Sequence, residues 1–366
     1  MSLLKDALLL EVRDLAKVAI WYGLNRHRQG SKKNIWVFGS RRSGTTLVAQ
    51  VIGANAGLKV CDQPFAIASS TALQLRYIFE FDNGHALDLL PAERQMCLDY
   101  VNLIRDGRLH VGEPWRVWAS NFHFRSDRLI FKETNGACVA PLMYETYGDH
   151  MLVLFRHPIP QSISCMRNRW DLNYRPFLGS KWYVETYLGD GLEGFCWDLL
   201  RSERELDKFV LVWCLENRPL HASLAFYPKW GFVTYERFVE DTDNIIGEWS
   251  RLYDLPQLDA MLRAAKQPSV STRKLSTAAA KSAIRSSDKA SVLFAWRSRI
   301  DADDERRLMA IVERFQIDEY TPFETSSKVG FRAPVPMGRP LARSEAAGKP
   351  SARTGEESDA SLPQGT

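Results

Sequence analysis

The chain has 366 residues, 45% of them hydrophobic, and a formal net charge of +4. That length and apolar content suffice for one large core or two smaller ones and exclude a collagenous or wholly disordered chain. So slight a charge does not by itself point to nucleic acid or to a polybasic membrane contact.

In chain order, residues 1–30 open with "LLKDALLLEVRDLAKVAIWYGL", which charges interrupt too often for a bilayer span. Leu8, Val12, Leu15, Ala19 and Tyr22 share one helical face, so an amphipathic helix is expected, packed on its own domain or, as the lesser reading, lying on a membrane surface. "NIWVFG" (34–39) is a short apolar run ending in glycine, and "TTLVAQVIGANAG" (45–57) follows with helical spacing. Together they predict a strand, a tight turn and a helix. Further buried strands are expected at 58–60, 129–131, 151–155 and 232–235, separated by enough chain for crossover helices. The stretch from about 165 to 225, rich in Trp, Tyr and Phe, reads as a helical insertion, and 304–316 as a packed helix with Leu308, Ile311, Val312 and Phe315 on one face. The fold class is therefore α/β: a central, mostly parallel sheet with helices on both faces and ligands at the carboxyl ends of the strands. Domain boundaries follow at 31–325, with a low-hydrophobicity tail over 326–366 expected to be disordered.

The six cysteines form no C-x-x-C pair and no zinc spacing with histidine. Reduced thiols, no metal and a cytoplasmic location are the expectation.

The turn "GSRRSGTT" (39–46) departs from the phosphate-binding pattern G-x-x-x-x-G-K-[ST] in one respect: Thr45 stands where the lysine belongs. The backbone N–H groups of Gly44, Thr45 and Thr46 can still meet an anion, since the first N–H groups of a helix lack internal partners and its dipole favours negative charge. The positive charge lies earlier, at Arg41 and Arg42.

Three stretches in order resemble the sulfotransferases that use 3′-phosphoadenosine-5′-phosphosulfate (PAPS). "GSRRSGTT" is similar to their 5′-phosphosulfate loop, "VLFRHPIPQSIS" (153–164) to their 3′-phosphate stretch with Ser164 eight positions after Arg156, and "FVTYERFVEDTDNIIGEWSRLYDLP" (232–256) to their later strand and helix. The resemblance covers the chain from residue 34 to about 320. It implies PAPS as co-substrate, with Arg42 stabilising the leaving 5′-phosphate oxygen and Ser43, Gly44, Thr45 and Thr46 around that phosphate. Arg41 replaces the family's usual proline. Arg156 and Ser164 would hold the 3′-phosphate, Tyr235 would touch adenine, and Arg273 and Lys274 in "PSVSTRKLS" would lie in a loop over the nucleotide. A sulfuryl group spreads one negative charge over its oxygens, so fixed N–H donors and cations can serve without a lysine in the loop.

The catalytic base stays open. "FKETN" (131–135) keeps a lysine, Lys132, but has Glu133 where related enzymes carry K-T-H, and "VCDQPF" (60–65) offers Asp62 beside Gln63. Glu113 and His123 are further candidates. The eleven tryptophans could stack on sugar rings, and the loop, the insertion and the Y-E stretch look more like carbohydrate-sulfating and bacterial members than like those acting on small phenols. A glycan or glycolipid hydroxyl is the expected acceptor, with no nucleic-acid partner and a possible peripheral membrane contact through the N-terminal helix. A P-loop kinase with a degenerate loop and a non-catalytic nucleotide-binding scaffold are the alternative readings.

Overall fold

Strands whose apolar residues run without alternation must be covered on both faces, and the chain builds its sheet from such runs. The computed structural model describes residues 26–66, 89–111, 123–189 and 191–321, with a few positions between 12 and 24. These belong to one compact unit, Met1–Pro334. Among the described residues the strands are β1 (Arg26–His27), β2 (Ile35–Gly39), β3 (Leu58–Asp62), β4 (Arg125–Ser126), β5 (Arg128–Glu133), β6 (His150–Phe155) and β7 (Gly231–Thr234). Five of them form one sheet in the order β3-β5-β2-β6-β7, parallel at every pairing. β1 and β4 form a separate parallel ribbon. The α/β class expected from the sequence is the class observed.

The crossovers are helical. After β2 comes α1 (Thr45–Ile52), and α2 (Pro91–Arg105) lies between β3 and β4. α3 (Ala140–Tyr147) precedes β6, which is followed by α4 (Pro158–Arg167), α5 (Leu192–Arg201) and α6 (Glu205–Phe226). After β7 come α7 (Tyr235–Glu240), α8 (Thr242–Leu252), α9 (Leu258–Ala265), α10 (Val270–Leu275), α11 (Ala278–Arg285), α12 (Lys289–Phe294) and α13 (Ala302–Arg314).

Side-chain alternation along the strands sorts the core into two layers. Trp36, Phe38, Phe131, Val153 and Phe155 face Tyr100 of α2, Met143 of α3, Leu211 of α6 and Leu308 of α13. Ile35, Val37, Leu152, Leu154 and Val233 face Val48 and Ile52 of α1, Trp249 of α8 and Met261 of α9. From β2 the chain runs outward to β3, and later crosses from β5 past β2 to β6. The carboxyl end of β2 therefore sits where the connections part, the place at which open parallel sheets bind ligands.

Several boundaries differ from expectation. α1 stops at Ile52 rather than 57: Gly53 packs so closely that a Cβ there would lie 2.8 Å from the Ala49 carbonyl oxygen, and the chain then turns through Gly57 at φ 82°. Tyr235 does not end a strand but opens α7, because Thr234 caps that helix by accepting the Arg237 N–H. α13 begins two residues early, capped by Asp301. On the N-terminal face, Val12 and Leu15 are 56% and 70% exposed rather than packed. The side chains of Leu8 and Tyr22, and the expected tail at 326–366, lie outside the described residues. Among the described residues, no helix is long and apolar enough to cross a membrane.

Candidate anion-binding cleft

The turn after β2 is held in an uncommon backbone conformation. Arg42 adopts a left-handed φ of 66° and Gly44 a φ of 108°. For a non-glycine residue such as Arg42 this costs about 1–3 kcal/mol and persists only where surrounding contacts enforce it. A Cβ on Gly44 would lie 2.7 Å from Cδ2 of Tyr235, and one on Gly39 would lie 2.5 Å from the Leu154 carbonyl oxygen. Glycine is needed at both positions for the loop to lie flat against β6 and α7. Gly44 also starts α1, its carbonyl accepting the Leu47 and Val48 N–H groups at 2.9 and 3.2 Å. The N–H groups of Gly44, Thr45 and Thr46 have no acceptor among the described residues, and all three residues line a cleft of about 1310 Å³. Ser43 is turned under the loop instead, its hydroxyl fully buried and unpartnered.

Around this helix start stand four arginines, Arg42, Arg156, Arg167 and Arg299, all lining the cleft. Among the described residues none of them forms an ion pair with a carboxylate. The Arg42 guanidinium is held by hydroxyls alone: Nε donates to Ser164 Oγ at 3.1 Å, Nη1 to Ser271 Oγ at 2.5 Å and Nη2 to Ser276 Oγ at 3.3 Å. Burial first, then repulsion from Arg156 and Arg167, lowers its pKa to about 10. Arg156 donates through Nη1 to the Arg42 carbonyl oxygen at 3.2 Å and lies 4.8 Å from the Tyr235 ring centroid, while its Nε is buried without a partner. Arg167 is lowered by burial and then by Arg299 and Arg156. The buried Glu236 carboxylate feels the Arg156 charge without forming an ion pair with it, and the excess of positive charge that remains suits a multiply charged anion.

The other end of the cleft is formed by the carboxyl ends of β3 and β5. Asp62 and Lys132 are register partners there, and their side chains pair at 2.9 Å, with Lys132 buried and Asp62 half exposed. Both line the cleft, as do Gln63, Thr134 and His123. Gln63 Nε2 donates to Thr134 Oγ1 at 2.5 Å, and His123 Nε2 lies 3.4 Å from the Gly53 carbonyl oxygen. Glu133 is placed elsewhere. It is wholly buried, and its carboxylate accepts from the backbone N–H groups of Phe65, Thr134 and Asn135 at 2.9, 2.7 and 2.6 Å. Burial pushes its carboxyl above the usual range against the pull of those donors. Its three bonds tie the turn after β3 to the end of β5, away from the cleft lining. Glu113 lies outside the described residues. Of the basic pair on α10, Lys274 lines the cleft and Arg273 points to solvent.

Arg41 is brought to the cleft wall but is already engaged. Its Nε pairs with the buried Glu216 carboxylate at 2.6 Å, and its guanidinium lies 5.7 Å from the Trp170 ring centroid. Burial, the largest single influence, would lower its pKa; the charge and hydrogen bond of Glu216, with Cys165 and Asp171, together outweigh it and hold the group above its ordinary value.

The sequence reading missed the residues that hold the loop. Gln161 of α4 donates to Ser40 Oγ and to the Arg41 carbonyl oxygen at 2.7 and 2.6 Å, and Asn217 of α6 donates to Ser40 Oγ at 3.0 Å. Trp213 donates to the Arg156 carbonyl oxygen at 3.0 Å. Trp213, Glu216 and Asn217 lie at helical spacing inside the apolar, buried middle of the helix, within the run 209–217. That polar stripe was the available signal, because buried polar groups must find partners.

The fold and the cleft thus define a parallel α/β protein with an arginine-lined cleft and open helix-start N–H groups at the carboxyl edge of its sheet. No family model matches the sequence, and no curated protein matches it. Among solved structures, the chain is similar to mouse sulfotransferase SULT7A1 complexed with PAP, at 12% identity and a TM-score of 0.40, over 82% of this chain and 88% of that one. It is also similar to retinol dehydratase in complex with androsterone and inactive cofactor PAP, at 13% identity and a TM-score of 0.32, over 78% and 81% of the two chains.

Proposed function

We propose that the protein is a sulfotransferase that moves a sulfuryl group from PAPS to a hydroxyl of a glycan, a glycolipid or a related acceptor. The observation that carries this reading is the set of four cleft arginines without carboxylate partners beside the open N–H groups of Gly44, Thr45 and Thr46. PAPS has phosphate groups at both ends of its nucleoside, so a cleft with two adjoining cationic sites suits it. Thr45 and Thr46 receive the 5′-phosphosulfate, while Arg156, Ser164, Arg167 and Arg299 receive the 3′-phosphate. Tyr235 sits between Gly44 and Arg156, where it shapes the floor under the nucleotide. Lys274 closes over the anion from α10, with Arg273 beside it at the rim, and Arg41 and Ser43 act by fixing the loop.

In the transfer the acceptor oxygen attacks sulfur, the bond from sulfur to the 5′-phosphate oxygen breaks, and 3′,5′-bisphosphoadenosine (PAP) leaves. Arg42 supplies positive charge as the leaving oxygen becomes anionic, an interaction that strengthens toward the transition state. Asp62 takes the acceptor proton. It is the carboxylate on the cleft wall at the β3 end, and Lys132 at 2.9 Å fixes its orientation. Reaction requires acceptor, sulfur and leaving oxygen in line, and two anchored phosphates provide that positioning.

The test is a screen of lipid-linked and free glycans with sulfur-labelled PAPS. Label appearing in an acceptor, and lost in an Asp62→Asn variant that still binds PAP, supports the reading. Tight PAP binding with no transfer to any acceptor supports the non-catalytic scaffold. Tight ATP binding indifferent to a 3′-phosphate supports the kinase.

A further inference from the structure

The β1–β4 ribbon has a charge arrangement that no contact within the described fold explains. Arg26 and Arg125 are direct register partners in parallel strands, so their side chains leave the same face, and both are exposed. Like charges directly opposite on a ribbon destabilise it. Arg28 follows on the same strand edge, its N–H bonded to the Ser126 carbonyl oxygen at 2.9 Å, and is exposed as well. Among the described residues, none of the three arginines forms an ion pair. The nearest acidic neighbour in sequence, Asp127, points its carboxylate at Gly57, where a Cβ would lie 2.9 Å from its Oδ1.

Beside these charges lie large apolar side chains that are about half exposed. Phe124 is 57% exposed and Leu24 49% exposed; Phe124 adjoins the ribbon, its carbonyl oxygen accepting the Arg26 N–H at 2.9 Å, and Leu24 lies two residues before Arg26 in the chain. Apolar side chains that sink into the acyl boundary, ringed by arginines that reach phosphate headgroups, are what an anionic membrane interface selects. A soluble partner protein would be met more readily by a patch depleted in unpaired charge at its centre. The patch also adjoins the cleft, since His123, next to Phe124, is part of the cleft lining.

We propose that the β1–β4 ribbon, with Leu24 and Phe124, docks the protein on an anionic lipid surface and presents the acceptor end of the cleft to lipid-linked acceptors in that surface. The docking stands on the ribbon alone; the choice of lipid-linked acceptor rests on the sulfotransferase reading above.

The experiment is sedimentation of the full chain with sucrose-loaded vesicles of phosphatidylcholine alone, and of phosphatidylcholine with about one-third phosphatidylglycerol. Binding to the anionic vesicles only, released by raised salt, is the expected result. Replacing both Arg26→Gln and Arg125→Gln should lower partitioning about 25-fold, at roughly fivefold per arginine. Phe124→Gln should weaken it at every salt concentration. PAP affinity in solution should match the parent for every variant, thermal unfolding should match it for Phe124→Gln, and the double arginine variant should unfold no lower than the parent because it relieves the opposed charges, which separates loss of docking from misfolding. No sedimentation with anionic vesicles, equal sedimentation with neutral ones, or unchanged partitioning of the arginine variant overturns the proposal. PAP titration of the parent reports on the donor reading separately, so either can fail without the other.

Discussion

In the proposed transfer, Arg42 is the residue on which the chemistry turns. Its guanidinium is half-buried, repelled by Arg156 and Arg167, and braced by three serine hydroxyls. Arg42→Ala should lower turnover about 10²–10³-fold, the usual cost of losing one preorganised transition-state donor, with a far smaller change in PAP affinity. Steady-state kinetics with labelled PAPS check it, and unchanged turnover with only a raised donor KM would make Arg42 an ordinary binding cation. Lys59 offers a second test at this scale. Its amine is buried on β3, 2.7 Å from His110 Nδ1, and burial lowers its pKa from 10.5 to about 8. Between those values the unfolded chain holds a proton that the folded chain has released, so stability should rise with pH across that interval. The contribution is about 3 kcal/mol. Denaturant titrations of the parent and Lys59→Met across this range should show that rise in the parent and its absence in the variant.

At the scale of elements, the β2 turn depends on the helices packed behind it. Glu216→Ala would leave the Arg41 guanidinium buried without its partner, and breaking such a pair costs about 3–5 kcal/mol. Urea unfolding measures this, and a loss below about 1 kcal/mol, the range of exposed pairs, would show that α6 does not hold the loop. Gly44→Ala meets both a left-handed backbone and the Tyr235 ring at 2.7 Å, so PAP affinity should fall together with stability. Calorimetric titration and thermal unfolding of that variant check the pair of effects. The loop itself was legible in the sequence because glycines, a preceding apolar strand and a following helix are all local signals. Its supports were not: Gln161 and Asn217 reach Ser40 from about 120 and 177 positions away, and such pairings arise only when crossover helices stack on the sheet. For the same reason Glu133 could not be separated from Asp62 by sequence. Both end parallel strands, and only the fold of the turn at 63–65 buries one and leaves the other at the cleft.

For the whole molecule, the parallel sheet was readable because its strands are unbroken apolar runs, whereas the β1–β4 ribbon is two short pairs of mostly polar residues with no periodic signal. Strand order was likewise hidden, since β3 and β5 become neighbours through side-chain burial on two faces rather than through adjacency in the chain. That order places β2 at the parting of the connections and gathers arginines from four separate segments into one cleft. If the cleft is built for a nucleotide with phosphates at both ends, its affinity must depend on the 3′-phosphate. The most direct measurement is calorimetric titration of the parent protein with PAP and, in parallel, with adenosine 5′-monophosphate, which differs from PAP only in lacking that phosphate. The account predicts PAP binding tighter by a factor of ten or more, a preference of about 1.5–3 kcal/mol for charge-assisted hydrogen bonds, and collapse of that preference in Arg156→Ala. Equal affinity for the two ligands, or a preference that survives Arg156→Ala unchanged, would contradict it.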